Sequence, residues 1–350
     1  MHIDELLTKA VQMGASDIHI TVGVPAKCRV NGELGAINNE VVTPPISKEL
    51  VCQMVPERLM EAYNEKGEID FSYAIPGQGR FRVNAFKQRG TYSCVVRVVN
   101  TRIPTPDELG LPWSVTDLIE KKRGLILVTG PTGSGKSTTL ASLINQINIK
   151  HNRHIITLED PIEYLHAHNQ SIVNQREIGI DTLSYAGALR AALREDPDII
   201  LVGEMRDLDT IATAITAAET GHLVFSTLHT IGAVATIDRI IDVFPTHQQA
   251  QIRLQLAMLL EAVISQQLLP TIDGSGRAAA FEIMLANSAI TNLIREGKSH
   301  QITSIIQTSR QAGMLTMDDA LYELYIRRKV DKETALNFAV NQDGLQRRLL

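Results

Sequence analysis

The residues Gly130, Pro131, Thr132, Gly133, Ser134, Gly135, Lys136 and Ser137 spell a complete G-x-x-x-x-G-K-[ST] loop between an apolar run, 125–128, and a helix-forming stretch, 138–144. Its glycines let successive backbone N–H groups turn onto phosphate oxygens, and the new helix adds the positive end of its dipole. Lys136 is then placed to reach the β- and γ-phosphates, Ser137 to hold Mg²⁺, and Thr138 to line the same site. ATP with Mg²⁺ is the ligand this pattern implies.

Phosphoryl transfer to water also needs a group that orients or deprotonates the water, and positive charge on the developing γ-phosphate. Glu204 closes the apolar run 199–202 and is the candidate general base or water-positioning residue. Gly203 stands where many P-loop enzymes carry a Mg²⁺-binding aspartate, so the ion is expected to rest on Ser137, with Glu163 and Glu204 acting through water. Glu159, Asp160 and Glu163 follow the neighbouring apolar run 154–158, and Glu163 is far enough past Pro161 to face the phosphates. The plain alternative is an acidic loop that only solvates itself. His229, after Ser226, Thr227 and Leu228, is placed to sense the γ-phosphate, and His222, beside Gly221, to contact a neighbouring loop. They start and end one strand, which rules out the one-turn pair of a zinc-binding helix. Arg80 and Arg82 alternate with Phe81 and Val83 and so project from the face opposite the core, either as an ordinary solvated face or as phosphate ligands. Arg97 interrupts 95–99, a strand that otherwise reads as buried, and there it demands an anionic partner. That partner is a structural carboxylate or the phosphate of a nucleotide held by a neighbouring subunit.

The elements that must position these groups follow from periodicity. A helix over 3–14, strands at 16–22 and 26–30, a helix over 47–64 and strands at 69–75, 79–88 and 91–99 make a small α+β domain, 1–99. Turns at 76–79 and 89–90 divide the last three strands. Three prolines and a glycine mark 100–112 as a linker. A helix over 113–122, with Ser114 as a possible N-cap, precedes the P-loop strand. Strands at 154–158, 198–204 and 221–229 alternate with helices at 184–194 and 208–219, which means a parallel sheet covered on both faces, with ligands beyond the carboxyl ends of its strands. The spacing turns helical over 247–267 and again from 288 onward, broken at 270–277, Gly297 and Gly313. The domains are therefore 1–99, a linker 100–112, an ATPase core 113–270 and a helical region 271–350.

A chain of 350 residues, 44% hydrophobic, has the size of two domains with sizeable cores. Cys28, Cys52 and Cys94 are odd in number and form no C-x-x-C, which argues against a disulfide framework and for a reducing compartment. Asp4, Glu5, Lys9 and Asp17 exclude a signal-peptide core, and no later run is apolar for long enough to span a bilayer. The expectation is a soluble protein that docks on a membrane partner without inserting. A net charge of −5 with 4% aromatics argues against a nucleic-acid tracker.

The P-loop together with 156–163, 196–207 and 221–229 resembles the four signature boxes of the secretion ATPase superfamily. More closely, with 14–20 and 289–296 included, the chain resembles the type IV pilus retraction ATPases, the PilT family. The resemblance implies an N-terminal PAS-like α+β domain followed by a RecA-like P-loop ATPase domain with a helical C-terminal appendage. It also implies a homohexameric cytoplasmic ring on an inner-membrane platform protein, with nucleotide between the two domains. Distortion of that ring removes pilin from the pilus base, and Arg80, Arg82 and Arg97 close on the phosphates. One departure is Thr291, where the family's C-terminal motif has an arginine. Beside Ile290, Leu293 and Ile294 this removes a surface charge and bears on partner coupling, while hydrolysis is untouched. The rival readings are a pilus assembly or type II secretion ATPase, a ring-shaped nucleic-acid translocase, and a nucleotide-binding accessory subunit.

Overall fold

The computed structural model describes residues 2–349 apart from positions 31, 77, 100, 101 and 275. Gly77 of the expected 76–79 turn, positions 100 and 101 of the expected linker and Ser275 of the 270–277 break thus lie outside the described residues. The chain divides into two compact units, Met1–Arg102 with Glu163–Leu165, and Ile103–Ile162 with His166–Leu350.

Among the described residues, the first unit holds a six-stranded antiparallel sheet. Its strands are β1 (Asp17–Ile20), β2 (Pro25–Val30), β3 (Glu33–Val41), β4 (Glu68–Ile75), β5 (Gly79–Gln88) and β6 (Thr91–Val98), in the order β3-β2-β1-β6-β5-β4. The helix Ile3–Gln12 buries Ile3, Leu6, Leu7 and Ala10, the apolar stripe of its 3.6-residue period, in the same core as Phe81, Val83, Ala85 and Val96 of the sheet. The helix expected over 47–64 is two helices, Pro44–Met54 and Glu57–Lys66. Pro56 has no N–H to continue the ladder and pushes Val55 into extended backbone, at φ −69° and ψ 119°. Strand β3 shows no alternation to read, because among its nine residues only Ile37 is buried.

In the second unit, β7 (Gly124–Thr129), β8 (His154–Glu159), β9 (Ile172–Glu177), β10 (Ile199–Val202), β11 (Leu223–Leu228), β12 (Leu260–Pro270) and β13 (Arg277–Leu285) form, among the described residues, one sheet in the order β13-β12-β7-β11-β10-β8-β9. All neighbours are parallel except the antiparallel pair of β12 with β13. Leu125 and Leu127 of β7 face one core cluster and Ile126 and Val128 the other, so burial on both faces accounts for the unbroken apolar run. The helix Lys136–Lys150 lies on one face, while Tyr185–Ala192, Leu208–Glu219, Ala233–Asp242 and Thr246–Leu259 line the other.

Two local expectations change. Helical structure over 247–267 stops at Leu259, and both β12 and the β13 strand of the expected helical region 271–350 extend the sheet; beyond Leu285 the helices begin at Ser288–Arg295. The helix over 113–122 is a single turn, Trp113–Thr116, followed by a 3₁₀ turn, Asp117–Glu120. Ser114 lies inside that turn, with Pro112 at the N-cap, and its hydroxyl donates to the Gly313 carbonyl at 2.8 Å. Among the described residues no helix is long and apolar enough to cross a membrane.

Candidate active site

The registers Val128 with Thr227, Val202 with Ser226 and Val202 with Leu158 bring the carboxyl ends of β7, β11, β10 and β8 level. The P-loop, His229 and Glu204 follow β7, β11 and β10, Glu159 ends β8, and all four lie along one edge of the sheet. Adjacent strands lie roughly 4.8 Å apart, which keeps these groups within reach of one small ligand.

The loop is shaped from beneath by β12. Gly130 adopts φ +138°, and a methyl group there would stand 2.2 Å from the Gln266 carbonyl oxygen. At Gly135, with φ +89°, a methyl would stand 2.9 Å from the Gln266 side-chain nitrogen. Only glycine tolerates both the backbone and the contact. The buried Gln266 amide oxygen accepts from Thr139 Oγ1 at 2.8 Å, which ties the first turn of the P-loop helix to β12. Lys136 is buried and its ammonium donates to the carbonyls of Gly130, at 2.9 Å, and Pro131, at 3.0 Å. The Ser134 and Thr129 hydroxyls are buried with no protein hydrogen bond. An orphaned hydroxyl, a buried ammonium and a glycine loop on a helix N-terminus fit a polyphosphate. Pro131, Thr132 and Gly133 are exposed, while Ser137 and Thr138 sit half-buried in the first turn of the helix.

Glu204 lies two residues beyond β10, and its side chain is 16% exposed. One carboxylate oxygen accepts from Arg206 Nε at 2.6 Å and lies 3.0 Å from His229 Nε2. Preceding it, the Gly203 N–H donates to the Leu158 carbonyl at 2.7 Å, and the Gly203 carbonyl accepts from Thr227 Oγ1 at 2.6 Å. The turn is thereby stitched between β8 and β11. Glu159 ends β8 and accepts from Thr157 Oγ1, at 2.7 Å, and Gln175 Nε2, at 3.1 Å. Asp160 beside it is exposed. Tyr185, at the start of its helix, joins this group: burial pushes its phenol well above the ordinary tyrosine range, and the charges of Asp160, Glu204 and Glu159 add to the rise.

Other expected site residues lie elsewhere. His222 precedes β11 at the opposite end of the sheet from His229, about 23 Å away at the usual strand rise. Its Nδ1 donates to the Ala217 carbonyl at 2.9 Å, closing its own helix-to-strand turn. Glu163 is exposed and groups with the first unit. Arg80, Arg82 and Arg97 belong to that unit's sheet. The registers Asp17 with Arg97 and Arg97 with Arg82 place Asp17, Arg97 and Arg82 in one row on a single face. Arg97 corrects the expectation of a buried strand, since β6 alternates and this side chain is 68% exposed. Its anionic partner is Asp17, whose carboxylate accepts from Arg97 Nε at 2.8 Å. Burial acts to raise the Asp17 pKa, but the bonds from Arg97 and Ser16 outweigh it and hold the carboxyl below its ordinary range. Arg82 Nε lies 4.0 Å from Asp70.

Sequence reasoning did not single out Gln266, Arg206 or Tyr185 as site residues. A buried glutamine in a strand is the one signal that points to Gln266, and it appears only once β12 is known to be a strand.

The chain is similar to known proteins over most of its length. The type II/IV secretion system protein family matches residues 1–336. The type IV pilus retraction ATPase PilT of Pseudomonas aeruginosa PAO1 is 48% identical over 339 residues, covering 96% of this chain and 97% of that protein. The twitching motility protein of Neisseria gonorrhoeae is 46% identical over 340 residues, 97% of this chain and 91% of that protein. A crystal structure of the pilus retraction motor PilT with bound ADP superimposes with a TM-score of 0.92 at 49% identity, covering 99% of each chain. These likenesses run over nearly the full length of the chain, which therefore belongs to the type II/IV secretion system protein family, as a nucleotide-binding ATPase of its PilT branch.

Proposed function

We propose that this chain hydrolyses ATP to power type IV pilus retraction, as a homo-oligomeric ring, expected to be a hexamer, docked from the cytoplasm on an inner-membrane platform protein. The observation that carries the chemistry is the convergence of Lys136, Glu204 and His229 at the ends of adjacent parallel strands. The P-loop N–H groups and Lys136 hold the triphosphate, and Lys136 exchanges its two carbonyl partners for β- and γ-phosphate oxygens. Among the described residues no group of three or more His, Cys, Asp or Glu is placed to hold a metal alone, which suits an ion that takes most of its ligands from phosphate and water. Ser137 would hold Mg²⁺, with Glu163 and Glu204 acting through water, and the ion when bound neutralises phosphate charge. Glu204 accepts a proton from the attacking water and aims its lone pair at the γ-phosphorus, while His229 and Arg206 keep the carboxylate in place. Arg80, Arg82 and Arg97 answer the developing charge across the ring from a neighbouring protomer, and removal of pilin follows from the resulting ring distortion.

The test is Glu204→Gln. It should bind ATP with nearly parental affinity and hydrolyse it roughly 10²- to 10⁴-fold more slowly, the range for a lost general base. Parental turnover would transfer the base role to Glu163. Mixing Glu204→Gln subunits with Arg82→Ala subunits should restore part of the activity, because one interface then contains both intact groups; absence of rescue would refute the arginines' action between protomers.

A further inference from the structure

Position 203 has no side chain, and the hydroxyl of Tyr185 borders the space beside it. A methyl group on Gly203 would stand 3.0 Å from that oxygen, 3.0 Å from the Leu158 carbonyl oxygen and 3.4 Å from the Glu159 Cα. The backbone is not free to withdraw, because Gly203 is hydrogen-bonded to β8 through its N–H and to β11 through its carbonyl. Tyr185 is equally fixed. It opens the helix Tyr185–Ala192, Ser184 caps that helix by accepting from the Gly187 N–H, and the ring packs against the core cluster that contains Leu158, Ile200 and Val202. A stiff helix start thus delivers one phenol oxygen to the strand ends. Among the described residues no protein group hydrogen-bonds to it, and the charges that act on it most are Asp160, Glu204 and Glu159, opposed by Arg206.

We propose that Tyr185 is a positioning residue for hydrolysis: its hydroxyl, standing where a side chain at position 203 would otherwise reach, donates a hydrogen bond to the water that the Glu159 and Glu204 carboxylates share, and so orients Glu204 toward the attacking water. The chemistry suits a phenol. Carboxylates only accept, so a layer of water between them gains from a neutral donor, whereas another carboxylate would add like charge. The proposal rests on the hydrolytic reading of Glu204.

Tyr185→Phe removes one oxygen and keeps the ring. Affinity for ADP by calorimetry, the thermal midpoint, steady-state kcat and KM, and single-turnover hydrolysis of radiolabelled ATP are compared for the parent, Tyr185→Phe, Glu204→Gln and the double variant. The expected result is unchanged ADP affinity, KM and thermal midpoint with kcat lowered about 3- to 10-fold, the range for losing a hydrogen bond between neutral groups. In the Glu204→Gln background the same change should cost less than about twofold, because two groups acting through one carboxylate are not additive. A Tyr185→Phe kcat within about twofold of the parent overturns the proposal, as does an equal loss in both backgrounds or a fall in ADP affinity and thermal midpoint that matches the fall in rate. If Glu204→Gln turns over normally, the functional reading has failed and this proposal with it. If Glu204→Gln is inactive and Tyr185→Phe is not, only the tyrosine's role is lost.

Discussion

Glu282, buried on β13, offers a perturbation whose sign and size follow from its contacts. Its carboxylate accepts from the Ala233 N–H at 2.8 Å and from the Met317 N–H at 3.4 Å. These are the first residues of the helices Ala233–Asp242 and Met317–Ile326, so one side chain serves two helix N-termini, where negative charge is favoured. Gly232, the N-cap of the first, has no side chain to do so. Burial raises the Glu282 pKa, the two N–H bonds act against it, and the net shift is upward. The folded state therefore binds this proton more tightly than the unfolded chain. Its contribution to stability is complete below the ordinary carboxyl pKa and declines as pH rises through the raised one. Glu282→Gln cannot titrate and must turn an NH₂ toward one of the two N–H groups, which costs about 1–3 kcal/mol at low pH. As pH rises, the parent loses about 1.4 kcal/mol for each unit by which the folded pKa exceeds the unfolded one, and the gap between the two proteins closes. Urea unfolding from about pH 4 to about pH 8 measures this, followed through Trp113, the single tryptophan, which lies in the same unit. A gap that stays constant or widens with pH would refute the reasoning.

Lys136→Ala should lower ATP affinity by two orders of magnitude or more, since each of its two charge-assisted hydrogen bonds to the β- and γ-phosphates is worth about 1.5–3 kcal/mol; calorimetry in the Glu204→Gln background showing unchanged affinity would refute the P-loop assignment. Gly313→Ala should cost about 2–3 kcal/mol, because the residue has φ +88° and the new methyl would stand 2.4 Å from the Ser114 Cβ; an unshifted urea midpoint would show that this contact relaxes freely. Arg97→Ala should cost about 0.2–1 kcal/mol at neutral pH, as befits an exposed pair, and raise the Asp17 pKa. Because Asp17 is held low in the folded state, the stability it contributes is present above its ordinary pKa and is lost on acidification; an Asp17 carboxyl NMR titration that does not move in the variant would contradict the pairing.

Local pattern sufficed for much of the second unit. The P-loop, its strand and its helix are contiguous, and β7, β8, β10 and β11 are apolar runs bounded by polar strand ends, so both fold class and the placement of Lys136, Glu204 and His229 could be read in one dimension. In β5, Arg80 and Arg82 alternate with Phe81 and Val83 for the same reason: one face is buried and the period is two. The pattern failed where both faces are buried. From Leu260 to Leu269 nearly every side chain is inside, no period survives, and it is pairing with β7 that makes the segment a strand. Gln266 and Glu282 look like polar errors in such a run until the fold supplies their partners, Thr139, Ala233 and Met317, which lie 127, 49 and 35 residues away. Tyr185 reads as the first apolar position of an amphipathic helix. Its hydroxyl gains a role only because β8 and β10 are adjacent, which places Gly203 against Leu158 and leaves room there for no side chain but the tyrosine's. Short-range order is encoded in residue spacing, whereas partners of buried polar groups are chosen by strand pairing, and that choice is made only when distant segments close on one another.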